Sequence, residues 1–395
     1  MLSALTQLRR RVPDSTSLAF LVVAFLSGTA SALQVPTLSL FLTEQVKVRP
    51  LLVGLFYTVN AVLGIIISQW LAARSDRGGD RRRLIMWCSL AGFAGCVLFA
   101  FDRHYLLLIT AGVLLGSLGG TANPQVFALA REHADRSARE ATMFNAILRA
   151  QVSLAWVIGP PIAFALAIGY GFAPMYLCAG LAFLLGAALV NSKLPGSRPK
   201  PGKAHGGGWF APAVRLPFIT STLMWTCNGM YLIDMPLYVT HSLGLPAHTA
   251  GVLMGTAAGL EIPVMLLAGS VAKRFGKLAL LRFAGAAGVL FYIGMSLFQA
   301  PPVLIALQLA NATFIGIIAS IGMLYFQDLM PEQIGTASTL FSTSTRSGTI
   351  IAGAFSGCIA EVWNYHGVMM VSLGFAVIAF ISCCRMRPQR ARHPA

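Results

Sequence analysis

The chain has 395 residues, 56% of them hydrophobic and only 11% charged, with a mean hydropathy of +0.72; soluble domains carry about 25% charged residues, so a water-soluble core of this length is excluded. The net charge of +16 does not indicate nucleic acid, because the 29 Lys and Arg sit in short breaks between apolar blocks and form no basic domain. The seven cysteines lie in or beside apolar blocks without paired C-x-x-C spacing, so neither a disulfide frame nor a metal site is expected, and no cofactor is implied.

The apolar blocks are about 20 residues long, enough to cross a hydrocarbon layer about 30 Å thick. In chain order they predict spans near 17–42, 51–73, 84–101, 105–130, 142–168, 173–191, 217–240, 247–272, 278–298, 302–327, 336–360 and 367–384. At the start, Arg9-Arg10-Arg11, the run Leu18 to Leu26 and Ala30-Ser31-Ala32 imitate a cleavable signal peptide. Apolar character resumes to Leu42, so this segment is assigned as the first span. Between the sixth and seventh spans, Asn191 to Pro212 is rich in Pro, Gly and basic residues and reads as a flexible linker. The predicted protein is all-α and membrane-embedded, with an N-terminal six-helix bundle over 1–190, a cytoplasmic linker over 191–216, and a C-terminal six-helix bundle with a basic tail over 217–395. With both termini inside, only Lys47, Arg49 and Arg103 among the basic residues of the breaks fall on the opposite face, so the positive-inside rule places both termini in the cytoplasm.

The two halves repeat. At one constant offset Gly54 aligns with Gly251, Ala72-x3-Asp76-Arg77 with Gly269-x3-Lys273-Arg274, Phe144 with Phe341, and Arg149 with Arg346; Gln34-Val-Pro36 matches Asp234-Met-Pro236 with a small gap. Two parallel six-helix repeats joined by a central linker resemble the major facilitator fold, in which solute binds near the midplane between halves that rock alternately. Asp76, Arg77, Arg81, Arg82 and Arg83 resemble that family's cytoplasmic G-x-x-x-D-R-x-G-R-R signature, and Arg274 lies in its second copy. The resemblance implies a cytoplasmic latch made by Asp76, Arg77, Arg81 and Arg274; with Lys273 in the acid's place, only the first copy has the acid for that latch. Positive-inside charge alone is the other reading of these residues. Gly159-Pro160-Pro161 in the fifth span removes a backbone hydrogen bond and lets a neighbouring helix come close. It resembles the signature that marks exporters in this superfamily. Glycines at four-residue spacing, Gly112, Gly116 and Gly120 and again Gly251, Gly255 and Gly259, predict packing seams.

Four charges fall inside spans: Arg149, Asp234, Glu261 and Arg346. Each costs about 2.5–3.5 kcal/mol at a helix centre, so they must pair with one another or face a wet cavity. Cys227, Tyr231, Asp234 and Tyr238 share one face of the seventh span, while Glu261 shares its face with Met254, Ala257, Ala258 and Met265. Tyr231 and Tyr238 are thus expected to donate to an ionised Asp234, a sugar ligand, and Glu261 is expected to be the more easily protonated acid. Arg149 and Arg346 occupy related positions in the two repeats and are expected to bind solute hydroxyls or to hold the acids. Gln34, Tyr57, Asn60, Asn123, Gln151, Trp225, Asn228 and Asn311 add neutral hydrogen-bonding capacity, either for solute or for helix-to-helix contacts. Trp156 offers an aromatic face, and polar groups beside such faces suit a sugar. No H-E-x-x-H, G-x-S-x-G or P-loop motif is present, so the sequence supports neither an enzyme nor an ATP-driven pump.

The runs Ala32-Leu-Gln34-Val-Pro36, Gly54-Leu-Phe-Tyr57-Thr-Val-Asn60, Arg149-Ala-Gln151 through Trp156 to Pro161, Trp225-Thr-Cys-Asn228 with Asp234-Met-Pro236, Gly255 to Pro263 around Glu261, and Phe326-Gln-Asp328-Leu-Met-Pro331 together resemble bacterial sugar efflux transporters of the Set family. The resemblance implies proton-coupled export of glucose, lactose and thiogalactosides. The implied substrate site holds Gln34, Tyr57, Asn60, Arg149, Gln151, Trp156, Trp225, Asn228, Asp234 and Arg346, with Glu261 and then Asp234 as the coupling acids. The expected partners are sugar, protons and the lipid bilayer, with no nucleic acid, for a monomer in the bacterial inner membrane. An exporter of amphipathic drugs, or a membrane sensor that binds sugar without moving it, are the alternatives. The topology is checked by single cysteines at Lys200, Arg390 and Pro246: the first two should label only from the cytoplasm and the third only from outside. Labelling of position 200 from outside would overturn the six-plus-six arrangement.

Overall fold

A backbone in lipid has to satisfy its own N–H and C=O groups, and an apolar block does this as a helix. The computed structural model describes residues 15–76, 80–136, 141–196, 212–331 and 334–386, and among them every regular element is helical. The arginine cluster at 9–11, Arg77, residues 197–211 of the linker and the tail from 387 lie outside the described residues. Helix α1 covers Ser15–Gln34, tightens into a 3-10 turn at Val35–Thr37, where Pro36 lacks a donor, and resumes over Leu38–Glu44. Next come α2 (Pro50–Asp76) and α3 (Arg81–Phe101). Helix α4 enters through Tyr105–Leu107, widens into a π turn at Leu108–Gly112 and continues over Val113–Arg136. It is followed by α5 (Ala141–Gly169) and α6 (Phe172–Lys193). In the second half, α7 (Pro212–Leu237) ends in a π turn at Tyr238–Ser242. Then come α8 (Ala247–Phe275), α9 (Lys277–Leu297), α10 (Pro301–Leu329), α11 (Ile334–Val362) and α12 (Tyr365–Arg385). These twelve helices coincide with the predicted spans.

By contacts the chain forms two compact units. The first holds residues 1–34, 63–159 and 169–202, and the second holds 35–62, 160–168 and 203–395. Helices α1, α2 and α5 therefore each contribute to both units, and two of the four division points inside them fall at helix-disturbing residues: the 3-10 turn after Gln34 and the bond between Gly159 and Pro160.

Within the first unit α6 packs on α1 and α3, and α3 packs on α4. Within the second, α12 packs on α7 and α9, and α9 packs on α10, the same pairing six helices further on. The first core joins Phe20 of α1, Ile85 of α3, Val126 and Leu129 of α4, Leu148 of α5 and Val190 of α6. A smaller cluster in the second unit joins Val214, Phe326, Leu340 and Phe341.

The predicted glycine seam of α4 is shifted. A methyl group built on Gly119 would fall 2.6 Å from the Gly92 Cα of α3, and one on Gly112 would meet the Phe99 ring, whereas Gly116 and Gly120 border open space. Gly112 and Gly119, seven residues apart, return to the same face within about 20°. At the exporter-like signature the expectation of a close helix approach holds, since a methyl on Gly159 would fall 2.4 Å from the Ala32 Cβ of α1.

Ion pairs fasten equivalent helix ends in the two repeats. Arg81, the first residue of α3, donates to Glu132 of α4 at 2.7 Å and to Gln125 at 2.8 Å. Lys277, the first residue of α9, donates to Asp328 of α10 at 2.7 Å. The Arg81 cluster is nearly dry, Arg81 being 8% exposed, while Lys277 and Asp328 are open to solvent. Arg81→Ala should therefore destabilise by about 1–3 kcal/mol, because it strands the buried Gln125 and the half-buried Glu132. Lys277→Ala should cost about 0–1 kcal/mol. Thermal unfolding of both variants in detergent tests this ranking; equal losses would refute it.

Candidate functional site

Ten of the twelve helices are long and apolar enough, by composition, to cross a membrane, and α7 and α11 are the two that are not. They carry hydroxyls, amides and charges instead, and they pack along each other. On α11 the residues Ser344, Gly348, Ala352 and Ser356 recur every fourth position, forming a small-residue stripe that lets the backbone of α7 come close. Ser221 Oγ lies 2.8 Å from Ser344 Oγ. A methyl on Gly348 would fall 2.7 Å from the Trp225 Cβ, and one on Gly229 would fall 2.6 Å from the Ala352 Cβ. At the far end the Ser356 hydroxyl donates to Asp234 Oδ2. Four further hydroxyls bond their own helices: Thr222 to the Phe218 carbonyl, Thr226 to Thr222, Thr345 to Phe341 and Thr349 to Thr345, whereas Thr220 Oγ1 is buried without a partner. Helices this polar can be buried because these four hydroxyls have acceptors.

Asp234 is 2% exposed. Beyond Ser356, its carboxyl lies within electrostatic reach of the Tyr57, Tyr292 and Tyr365 hydroxyls, on α2, α9 and α12. The expected donors on its own helix are engaged elsewhere. Tyr231 donates to Gln308 Oε1 at 3.1 Å and Tyr238 to the Met295 carbonyl at 2.7 Å. The correction has a physical cause: Met295 belongs to the last turn of α9, whose carbonyls lack helical partners and draw the phenol across.

A second polar group lies between α7, α8 and α10. Gln308 Nε2 donates to the Leu304 carbonyl, which turns Gln308 Oε1 towards both Tyr231 and the Asn311 amide at 3.2 Å. Glu261, half-buried on α8, is within electrostatic reach of Tyr231. The backbones of α8 and α10 touch here, for a methyl on Gly316 would fall 3.3 Å from the Glu261 carbonyl oxygen.

The remaining predicted residues divide between the units. Gln34, Arg149, Gln151 and Trp156 belong to the first; Tyr57, Asn60, Trp225, Asn228, Asp234, Glu261 and Arg346 belong to the second. Arg149 is exposed, and Gln151 and Trp156 are partly buried on the same helix. Gln34 closes the first part of α1, its Nε2 donating to the Ala30 carbonyl at 2.9 Å. Asn60, Asn228 and Arg346 are partly buried. Within the second unit Asp234, Glu261 and Arg346 form no ion pairs with one another among the described residues, so pairing does not offset their insertion cost there. Trp225 is held edge-on by Phe341, with ring centroids 6.3 Å apart. Of the latch residues, Arg81 is buried in its ion pair and Arg274 is exposed over the Phe275 ring at 5.3 Å. The side chain of Asp76 and all of Arg77 lie outside the described residues.

Sequence reasoning missed Ser356, Gln308, Gln125, Glu132 and the role of Asp328. The four-residue stripe ending at Ser356 was a readable signal. Glu132 and Asp328, acids in the last turns of α4 and α10, match once the two repeats are laid over each other.

A family model for the Major Facilitator Superfamily matches residues 20–352. The chain is 56% identical to sugar efflux transporter A of Dickeya chrysanthemi, over 96% of this chain and 97% of that protein. It is 54% identical to sugar efflux transporter A of Escherichia coli K12, over 93% and 95%. In fold it is similar to the crystal structure of the nucleoside transporter NupG, with a TM-score of 0.79 at 13% identity over 94% of this chain and 99% of that one. The repeated pairing of α1–α6 and α7–α12 and this full-length similarity lead to one conclusion: the chain belongs to the major facilitator superfamily and, within it, to the family of the sugar efflux transporters.

Proposed function

We propose that this protein exports sugars, of the glucose, lactose and thiogalactoside class, from the cytoplasm across the bacterial inner membrane in exchange for protons. It acts as a monomer with both termini in the cytoplasm. The observation that carries the reading is the 56% and 54% identity, over nearly the whole chain, to proteins named sugar efflux transporters. The residue chemistry supports it. Gln151 and Trp156 on α5, and Trp225 and Asn228 on α7, offer amides for hydroxyls and ring faces for the C–H side of a sugar. Gln34, Tyr57, Asn60, Arg149 and Arg346 add donors. Asp76, Arg77, Arg81 and Arg274 latch the cytoplasmic ends.

An exchanger needs a group that takes a proton from one side and yields it on the other when solute binds. Glu261 fits this role: it is half-buried with no cation beside it among the described residues, so its charge depends on the solvent that reaches it. Uptake of labelled lactose, glucose and a hydrophobic dye into inverted vesicles, with and without a pH gradient, is the primary test. Sugar accumulation driven by the gradient is expected; dye accumulation alone would make the protein a drug exporter, and sugar binding without accumulation a sensor. Glu261→Gln, which mimics the protonated acid, should reduce accumulation at least about tenfold while keeping sugar-for-sugar exchange. If Glu261→Gln proteoliposomes still concentrate sugar on a proton gradient alone, Glu261 is not the coupling acid.

A further inference from the structure

Hydroxyl side chains in these helices commonly turn back on their own backbone. Thr29 donates to the Phe25 carbonyl, Thr58 to Gly54 and Thr121 to Ser117, each one turn earlier. Ser117 of α4 does not: it is 7% exposed, and its Oγ has no hydrogen-bond partner. That oxygen faces Gly64 of α2, where a methyl group would stand 3.8 Å from it and meet nothing else within 4 Å. The approach to the Ser117 hydroxyl is therefore left clear by a missing side chain on the opposite helix.

The same face of α4 is both bare and polar. At about 100° per residue, Gly116, Ser117, Gly120 and Pro124 share one sector about 100° wide, and Asn123 lies about 20° outside it. A methyl built on Gly116 or Gly120 would meet nothing within 4 Å. Pro124 has no N–H to give the carbonyl one turn back, so the Gly120 C=O lacks its helical donor and has no side chain to shield it. Asn123 Oδ1 accepts from the Ser27 hydroxyl of α1 at 3.4 Å, which leaves its Nδ2 protons for another acceptor. From Val113 to Phe127 the helix carries no ionisable side chain.

These features select a ligand class. A carbonyl without its donor, an unbonded hydroxyl and a spare amide are costly against hydrocarbon, and an apolar solute would leave all three unmet. A charged solute would find no counter-charge on this face. A neutral ring bearing several hydroxyls meets each need: Gly120 accepts, Asn123 donates and Ser117 does either.

We propose that this face of α4, with Gly64 of α2 opposite Ser117, is a subsite for one ring of the exported sugar. The Gly120 carbonyl accepts one ring hydroxyl, Asn123 Nδ2 donates to another, and Ser117 bonds a third in the place that Gly64 leaves clear. Gly116 lets the C–H side of the ring lie against the backbone. The subsite rests on the export reading above for the identity of the solute.

The test uses substitutions that favour a helix, so that lost binding is not explained by lost fold. Pro124→Ala gives the Gly120 carbonyl a donor without adding bulk. Gly64→Ala covers the Ser117 hydroxyl with a methyl at an ordinary contact distance, and Gly120→Ala shields its own carbonyl in open space. Gly374→Ala on α12, where a methyl also meets nothing within 4 Å, is the control. Binding of labelled lactose, labelled glucose and a hydrophobic dye to the purified full chain is measured by equilibrium dialysis, with thermal unfolding recorded in the absence of ligand. Each of the three variants should weaken binding of at least one sugar about three- to tenfold, the worth of one hydrogen bond, while unfolding at or above the wild-type temperature. The control should bind as the wild type does. Ser117→Ala should show the same loss, and it tests the subsite independently if a helix-favouring variant fails to fold. Wild-type sugar affinity in Pro124→Ala and Ser117→Ala overturns the subsite and leaves the export reading standing. A loss of sugar binding that appears only with a lower unfolding temperature, or equally in the control, overturns it as well. So does a dye that loses affinity in these variants while the sugars keep theirs. If the wild type binds neither sugar, the export reading fails and the subsite falls with it.

Discussion

A carboxyl group placed in a helix that must cross lipid has few ways to be tolerated, and Asp234 uses the most demanding of them, near-complete enclosure by protein. The enclosure is only possible because α11 presents Ser344, Gly348, Ala352 and Ser356 in a single stripe, so that α7 can approach within backbone contact and deliver the acid to the last of the four. The same stripe explains why α7 and α11 can be the least apolar helices and still pack along each other. Next to Ser356 stands Gly357, where α2 arrives.

The two six-helix repeats carry a common plan with unequal electrostatics. Each ties the start of its third helix to the end of its fourth by an ion pair, Arg81 with Glu132 and Lys277 with Asp328. The first is buried and completed by Gln125; the second is solvent-exposed and built from a lysine, whose point charge lacks the fork of an arginine. The second copy of the cytoplasmic signature thus does have an acid for its base, supplied by a different helix from the one its sequence motif occupies. Intramembrane acids show the opposite bias, since Asp234 and Glu261 both lie in the second repeat.

The two acids are held in different ways. Asp234 is sealed with hydroxyl neighbours, while Glu261 is half-buried beside a network whose amide directions are set by the Leu304 carbonyl. Neither is matched within its unit by Arg346, which lies two residues beyond Ser344 and so turns about 200° around α11 from the α7 seam.

Much of this protein could be read from its sequence. Block length and composition determined twelve helices, because a lipid core dictates both how long a span must be and that it must be helical. Internal alignment determined the two repeats, and the exporter-like signature correctly marked Gly159 as a point of close approach, since a missing side chain has the same consequence wherever a neighbour lies. Only the tertiary structure decided which partners the polar groups take. Helical periodicity put Tyr231, Asp234 and Tyr238 on one face, yet the two phenols turn to Gln308 and Met295 on other helices, and Asp234 turns to Ser356, 122 residues away. A periodic pattern reports the direction in which a side chain leaves its own helix; the donor or acceptor it meets there belongs to another helix, and its position is fixed only when the helices pack.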